Sequence, residues 1–258
     1  WRTFAGEGNA SDHGADQDAM NKINDGSQSI YSGISWTNCS GVGVFSDEFR
    51  NLMKSGFGSE TTPRFLTGGE VDTENLFKGI KGQPTNFNTA SHSVNKGSVD
   101  DPGQVVQYIA AHDNETLHDV IMMHLKKDPR AGENEELIHK RIRMGNLVLL
   151  TTQGIAFMHA GQELGRTKSF GSNTGSGPKV RYVEFDNGEE LAISRDSYDS
   201  SDFINQINWS FIEDGKPGKK TMEYTKGLIK LRKSTDAFRL GTKSKVSSNV
   251  TIIKPILD

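Results

Sequence analysis

His112-Asp113-Asn114 are the residues of this sequence best placed to do chemistry, because they follow an apolar run, Val105-Val106-Gln107-Tyr108-Ile109-Ala110-Ala111. A run uninterrupted by charge reads as a strand buried on both faces. The tripeptide then stands at the strand's carboxyl end, which in a βα barrel opens into the active-site mouth. An imidazole beside a carboxylate there puts two polar groups into that mouth. The same residues also read as a helix start, with Asp113 or Asn114 accepting backbone N–H groups as the N-cap. A second polar pair, Gln162-Glu163, closes the next apolar run, Ile155-Ala156-Phe157-Met158-His159, with Glu163 reading equally as a hydrogen-bonding support and as surface. Tyr198, Asp199 and Asp202 lie in a segment that either reaches the same cleft or forms a solvated turn.

His118, Asp119 and His124 invite a metal reading, but a spacing of six does not put both imidazoles on one helix face. They read as packed or solvated histidines. The acidic stretch 12–18 offers hard oxygen ligands suited to calcium, yet its spacing matches no recognised calcium loop, so no cofactor is assigned. Cys39 is the single cysteine, so no disulfide framework forms within the chain.

Short apolar runs alternate with amphipathic stretches. Residues 42–45 read as a strand and 47–54 as the helix after it, with Phe49, Leu52 and Met53 on one side. Thr73 is the expected N-cap of a helix whose apolar face is Leu76, Phe77 and Ile80. After His112-Asp113-Asn114 comes a helix carrying Leu117, Val120, Ile121 and Leu125, and 133–150 forms another, stopped by Gly154. Residues 171–177 read as a flexible loop, and 221–233 as a helix with Met222, Leu228, Ile229 and Leu231 directed inward. Residues 250–253 read as a final strand. This alternation argues for an α/β protein with a parallel sheet. Three or four such units are too few to close an eight-stranded barrel, which leaves an open sheet or part of a barrel.

The 258 residues carry 33 acidic and 30 basic side chains, which removes any general electrostatic reason to bind nucleic acid. No apolar run approaches the ~20 residues needed to span a bilayer. The start, Trp1-Arg2-Thr3-Phe4-Ala5-Gly6, has neither a methionine nor the apolar core of a secretion signal, so the sequence is expected to begin inside something longer or after processing.

Three motifs in order carry a more specific signal. The run from Val106 through Ala111, His112, Asp113, Asn114, Glu115, Thr116 and Leu117 to Asp119 resembles the seventh-strand motif of type I pullulanases in the alpha-amylase superfamily. Phe157-Met158-His159-Ala160-Gly161-Gln162-Glu163-Leu164-Gly165-Arg166-Thr167-Lys168 is similar to their eighth-strand motif. Ser197-Tyr198-Asp199-Ser200-Ser201-Asp202-Phe203-Ile204-Asn205-Gln206-Ile207-Asn208-Trp209 is similar to the segment that follows. The resemblance runs from Trp1 to about Leu240; the stretches 24–40 and 88–103 look longer than the family's.

The resemblance implies the C-terminal part of a (β/α)8 TIM barrel over residues 1–240, after strand five through helix eight, with 241–258 beginning a C-terminal β domain. It implies a retaining hydrolase of alpha-1,6 branches in pullulan, glycogen or starch-derived dextrins, extracellular or on the cell surface. Asp113 matches the carboxylate that stabilises the transition state; His112 and Trp1 match substrate-binding positions, and Tyr198 is expected beside them. Retaining hydrolysis needs a nucleophile and a general acid. The nucleophile's fourth-strand motif is absent, and the family's acid would precede Trp1. Glu7, in a second Gly-Glu-Gly, reads as a decoy within a polar loop. Other readings are a different debranching enzyme of the isoamylase kind, or a non-catalytic carbohydrate-binding fragment. The expected partner is an alpha-glucan, with neither nucleic acid nor a membrane span.

Overall fold

The structure is a computed structural model that describes residues 44–56, 58–83, 102–172 and 174–253. Three short strands, β1 (Val44–Phe45), β2 (Val105–Gln107) and β3 (Ile155–Ala156), pair in parallel in the order β1-β2-β3. Each is followed by a helical segment, and parallel strands require such crossovers to bring the chain back. Parallel pairing of β2 and β3 puts their carboxyl ends, and the loops carrying His112 and Gln162, on one side of the sheet.

Between the strands run α1 (Asp47–Met53), α2 (Thr73–Ile80), α3 (Leu117–Leu125) and α4 (Gly132–Thr151). Their starts follow local chemistry. Ser46 Oγ accepts from Phe49 N at α1, and at α2 the Asp72 carboxylate accepts from Glu74 N and Asn75 N. Asp72 therefore caps α2 and Thr73 is its first helical residue, one position later than the expected role; a carboxylate with two N–H donors in reach is the stronger cap. Phe49 and Met53 of α1, Leu117 and Ile121 of α3, and Ile138, Ile142 and Leu149 of α4 meet Ile109 and Leu66 in one buried cluster. Gly145 is what lets α4 approach: a Cβ there would stand 2.8 Å from Leu66 Cδ1 and 3.2 Å from Leu117 Cδ2.

A hairpin that periodicity had not singled out follows, β4 (Val180–Glu184) paired antiparallel with β5 (Glu190–Ser194). Its turn holds Asn187-Gly188, with Gly188 at φ 80, which is a hairpin signal. Val183, Leu191 and Ile193 join the main core through it. Then come the short α5 (Asp202–Asn205), the long α6 (Pro217–Ser234) and α7 (Lys243–Asn249).

Three expectations are corrected. The buried face of α6 is Thr221, Thr225, Leu228 and Arg232, while Ile229 and Leu231 are 40% and 44% exposed. This helix lies on polar partners: Asn146 Nδ2 donates to Thr225 Oγ1 at 3.0 Å, and the Arg232 guanidinium reaches the carbonyls of Leu150, Thr152 and Gly154 at 2.6 to 3.0 Å. Ile155, expected in a buried strand, is 47% exposed, because β3 forms an edge of the described sheet. Residues 250–253 form no strand; Val250 N closes α7 by donating to Val246 O at 2.8 Å, and Thr251, Ile252 and Ile253 stand exposed without a neighbouring strand among the described residues. Among the described residues no helix is long and apolar enough to cross a membrane.

Candidate active site

Beyond β2 the chain runs through Tyr108, Ile109, Ala110 and Ala111, all buried, before it surfaces at His112 and Asp113. The Tyr108 hydroxyl accepts from Arg50 Nη1 at 2.7 Å and donates to Asp47. Burial, with Asp47 beside it, pushes that hydroxyl above its ordinary value, so it remains a donor and fixes the strand's exit to α1. At the surface, His112 Nδ1 lies 2.8 Å from Asp113 Oδ1, with the two side chains 45% and 32% exposed. Imidazole and carboxylate thus present a joined polar edge at the carboxyl end of β2.

The reading of Asp113 or Asn114 as a helix cap does not hold. Thr116 is the N-cap of α3, its Oγ1 accepting from Asp119 N at 3.1 Å. Asn114 takes a left-handed turn at φ 58 and is buried, its Nδ2 donating to Glu60 Oε1 at 3.1 Å. That turn separates the exposed His112-Asp113 pair from the helix. Glu115, fully buried, pairs with Arg181 Nε of β4 at 2.8 Å and so ties the hairpin to the same segment.

Tyr198 is brought to the pair: its ring lies 6.1 Å from that of His112 and the residue is 71% exposed. Lys179 sits over the Tyr198 ring at 5.4 Å and bridges Asp196 and Asp199 at 3.0 and 2.9 Å. Burial opposes the charge on Asp196, but Lys179 outweighs it and holds the carboxyl below its ordinary range. His112, Asp113 and Asp196 bring three ligand-type atoms within 4.8 Å of one another. The Lys179 ammonium already serves as the cation beside Asp196, and no metal is assigned there. Asp199 is thus a salt-bridge partner, and Asp202 stands in the first turn of α5, exposed. Glu163 closes its own turn, Oε2 accepting from Gly161 N at 2.9 Å. Trp1, Glu7 and the acidic stretch 12–18 lie outside the described residues.

Lys168 lies within the second motif and Lys54 at the end of the first helical stretch, and neither is marked by the sequence as a site residue. Both are buried and both reach this segment. Lys168 Nζ donates to the His112 carbonyl at 3.1 Å, which also receives Ser197 N at 3.3 Å; Lys54 Nζ donates to the Glu115 carbonyl at 2.7 Å. Burial pulls each ammonium down to about 8. A lysine without an obvious surface role beside an apolar residue, as in Met53-Lys54, was the available signal.

His118 and His124 part company, as their spacing requires. His124 Nε2 meets the Glu60 carbonyl at 3.0 Å, whereas His118 is buried between Asp119 at 3.2 Å and Glu135 at 3.1 Å. Burial opposes the His118 charge, but Glu135 and Asp119 overcome it and raise His118 to about 10. Glu135 also meets His139 Nε2 at 3.2 Å, and His139 Nδ1 meets Thr221 Oγ1 at 2.8 Å. A cavity of about 340 Å³ is lined by His118, Glu135, His139, Thr167, Phe211 and Lys216; it does not touch His112, Asp113 or Tyr198.

No family model matches the chain. Over 98% of its length it is 41% identical to Pullulanase A of Streptococcus pneumoniae, and over 81% it is 28% identical to the pullulanase of Bacillus subtilis strain 168. The chain spans about a fifth of the length of the curated relatives it matches, 19% of the first and 24% of the second. The catalytic module of the multi-modular glycogen-degrading pneumococcal virulence factor SpuA superposes with a TM-score of 0.73 at 40% identity, covering 86% of this chain and 32% of that one. The Group B Streptococcus pullulanase SAP in complex with maltotetraose superposes with a TM-score of 0.71 at 46% identity, covering 83% and 28%. The fold of the described residues is that of part of these catalytic modules, which belong to the alpha-amylase superfamily. The chain is the homologue of a segment of pullulanases, and a fragment of a type I pullulanase fits it.

Proposed function

We propose that this chain is part of the catalytic barrel of a retaining hydrolase that cleaves alpha-1,6 branches in pullulan, glycogen or starch-derived dextrins. The observation that carries the reading is the His112–Asp113 pair, exposed at the carboxyl end of β2 in a sequence 41% identical to a pullulanase over 98% of its length. On this reading β1, β2 and β3 are barrel strands six, seven and eight; residues 1–240 complete the barrel from after strand five, and 241–258 lead into a further domain. Among the described residues β3 is an edge strand, which supports it, since a closed barrel would pair that strand with the first.

Asp113 then acts as the supporting carboxylate. It accepts hydrogen bonds from hydroxyls of the sugar whose glycosidic bond breaks, and its charge opposes the oxocarbenium charge that grows in the transition state. His112, held to Asp113 at 2.8 Å, shares those hydroxyls. Tyr198 offers a ring face to a pyranose beside them, and Trp1 is proposed as a second substrate-binding residue. The bound maltotetraose of the Streptococcus relative supports an alpha-glucan as the ligand.

The test uses the full-length protein that contains this chain. It should release reducing ends from pullulan and none from amylose, which has only alpha-1,4 links. Asp113→Asn keeps the size and removes the charge, so kcat should drop by about 10²-fold or more with a modest change in KM. A folded Asp113→Asn variant as fast as the parent would remove Asp113 from the chemistry.

A further inference from the structure

Only Asp113 and Asn114 separate the two carbonyls that receive buried ammonium groups, His112 O from Lys168 and Glu115 O from Lys54. The lysines come from opposite flanks of the sheet. Lys54 follows α1, after β1, and Lys168 follows the loop after β3. Lys168 is itself anchored, its backbone N donating to Asp119 Oδ2 at 2.9 Å, while its neighbour Thr167 donates through Oγ1 to Asp119 Oδ1. Because Asp119 lies in the first turn of α3, the loop after β3 is locked to the helix that follows the His112-Asp113 turn. Between the two ammonium contacts the backbone makes the left-handed turn at Asn114. Two carbonyls braced from opposite sides leave such a turn little freedom to rotate.

We propose that Lys168 and Lys54 are positioning residues for the reaction: by gripping the carbonyls of His112 and Glu115 they hold the turn that aims the Asp113 carboxylate. The inference rests on the reading of Asp113 as the supporting carboxylate. A misplacement of about 1 Å in such a group costs on the order of 10²-fold in rate, so a grip on the backbone is a rate device even though neither lysine touches the sugar. Charge adds to geometry, because both ammonium groups lie within the field of Asp119, and Asp196 and Asp113 also favour the charge on Lys168. The opposing neighbours are Arg50 and Lys168 at Lys54, and Arg166 at Lys168, while Glu115 favours the Lys54 charge. His159 faces the same group of cations and is held neutral, its value lowered to about 3 by burial and then by Lys168, Arg166, Lys54 and His112.

With both lysines lowered to about 8, the grip weakens as pH rises through that value: the ammonium becomes an amine and its charge-assisted bond to the carbonyl is lost. Removing Lys168 takes a like charge from Lys54 and moves the titration of Lys54 upward.

The experiment measures kcat and KM on pullulan against pH for the full-length protein and for Lys168→Met and Lys54→Met. Expected are a kcat lowered by about 10- to 100-fold with KM within about three-fold, a wild-type kcat that declines above about pH 8, and an alkaline limb displaced to higher pH in Lys168→Met. A purely structural role would lower the melting temperature without moving that limb. A folded Lys168→Met variant with kcat within about two-fold of wild type overturns the inference. Should neither variant fold, the wild-type profile decides: a decline near pH 8 with the fold intact supports the grip, and a flat kcat from about pH 7 to about pH 9.5 overturns it. A folded wild-type protein inactive on pullulan would instead overturn the functional reading beneath.

Discussion

Asp113 works at the end of a chain of dependence in which each neighbour has its own task. Thr116 caps α3, Asn114 makes the turn, Glu115 pairs with Arg181, and His112 meets the carboxylate itself. Away from this edge, Glu135 joins two histidines from different helices, His118 of α3 and His139 of α4. Removing one partner of a buried pair leaves the other charge uncompensated, so Glu135→Gln should cost about 3 kcal/mol of stability. The sign follows from the shifts. His118, raised to about 10, contributes in full below its unfolded value of 6.5 and loses the contribution as pH climbs through 10. Glu135, lowered despite burial by His118 and His139, contributes above 4.5 and loses it as the solution turns acid. The penalty of Glu135→Gln should therefore peak between pH 4.5 and 6.5 and shrink towards pH 10, as denaturant unfolding of the two proteins across that range would show.

At the scale of elements, α4 and α6 are the frame behind the sheet, and their contact is polar where periodicity had placed apolar residues. The buried positions Thr221, Thr225, Leu228 and Arg232 recur at four, three and four residues, which is a helical stripe in its own right. Apolar counting skips three of its four members. Arg232 ends the stripe by satisfying carbonyls at and beyond the end of α4, where a helix leaves acceptors unpaired and favours a cation. Arg232→Met keeps the stem but strands those carbonyls, and should destabilise by about 3 kcal/mol in thermal or denaturant unfolding. Arg232→Lys should recover only part, since an ammonium cannot reproduce the planar fork. Equal stability of Arg232→Met and wild type would mean that water replaces the guanidinium.

For the whole molecule, the prediction concerns the 258 residues by themselves. On the proposed reading the matched motifs supply only the supporting carboxylate, whereas double displacement needs a nucleophile and a proton donor. The isolated chain, once shown to be folded, should therefore release no reducing ends from pullulan. Turnover that Glu7→Gln abolishes would show that Glu7 is the acid after all. The exposed edge at β3, with Ile155 half out of the core, should also make the isolated chain associate, which light scattering would detect.

The motif around His112-Asp113, the parallel βα order and the three motif segments were legible in the sequence, because strand periodicity, turn residues and short contiguous motifs are local in the chain. The start of α2 was legible too, though its cap was assigned to Thr73, one residue after Asp72. Only the tertiary structure decided that Thr116 and not Asp113 caps α3, that α6 buries threonines and an arginine, that residues 250–253 form no strand, and that Lys54 and Lys168 reach the two carbonyls flanking Asp113 and Asn114. Residues 54 and 115 lie 61 positions apart, and 112 and 168 lie 56 apart. No pattern within one segment encodes such a pairing, because it depends on where the folded sheet and helices carry the ends of long side chains.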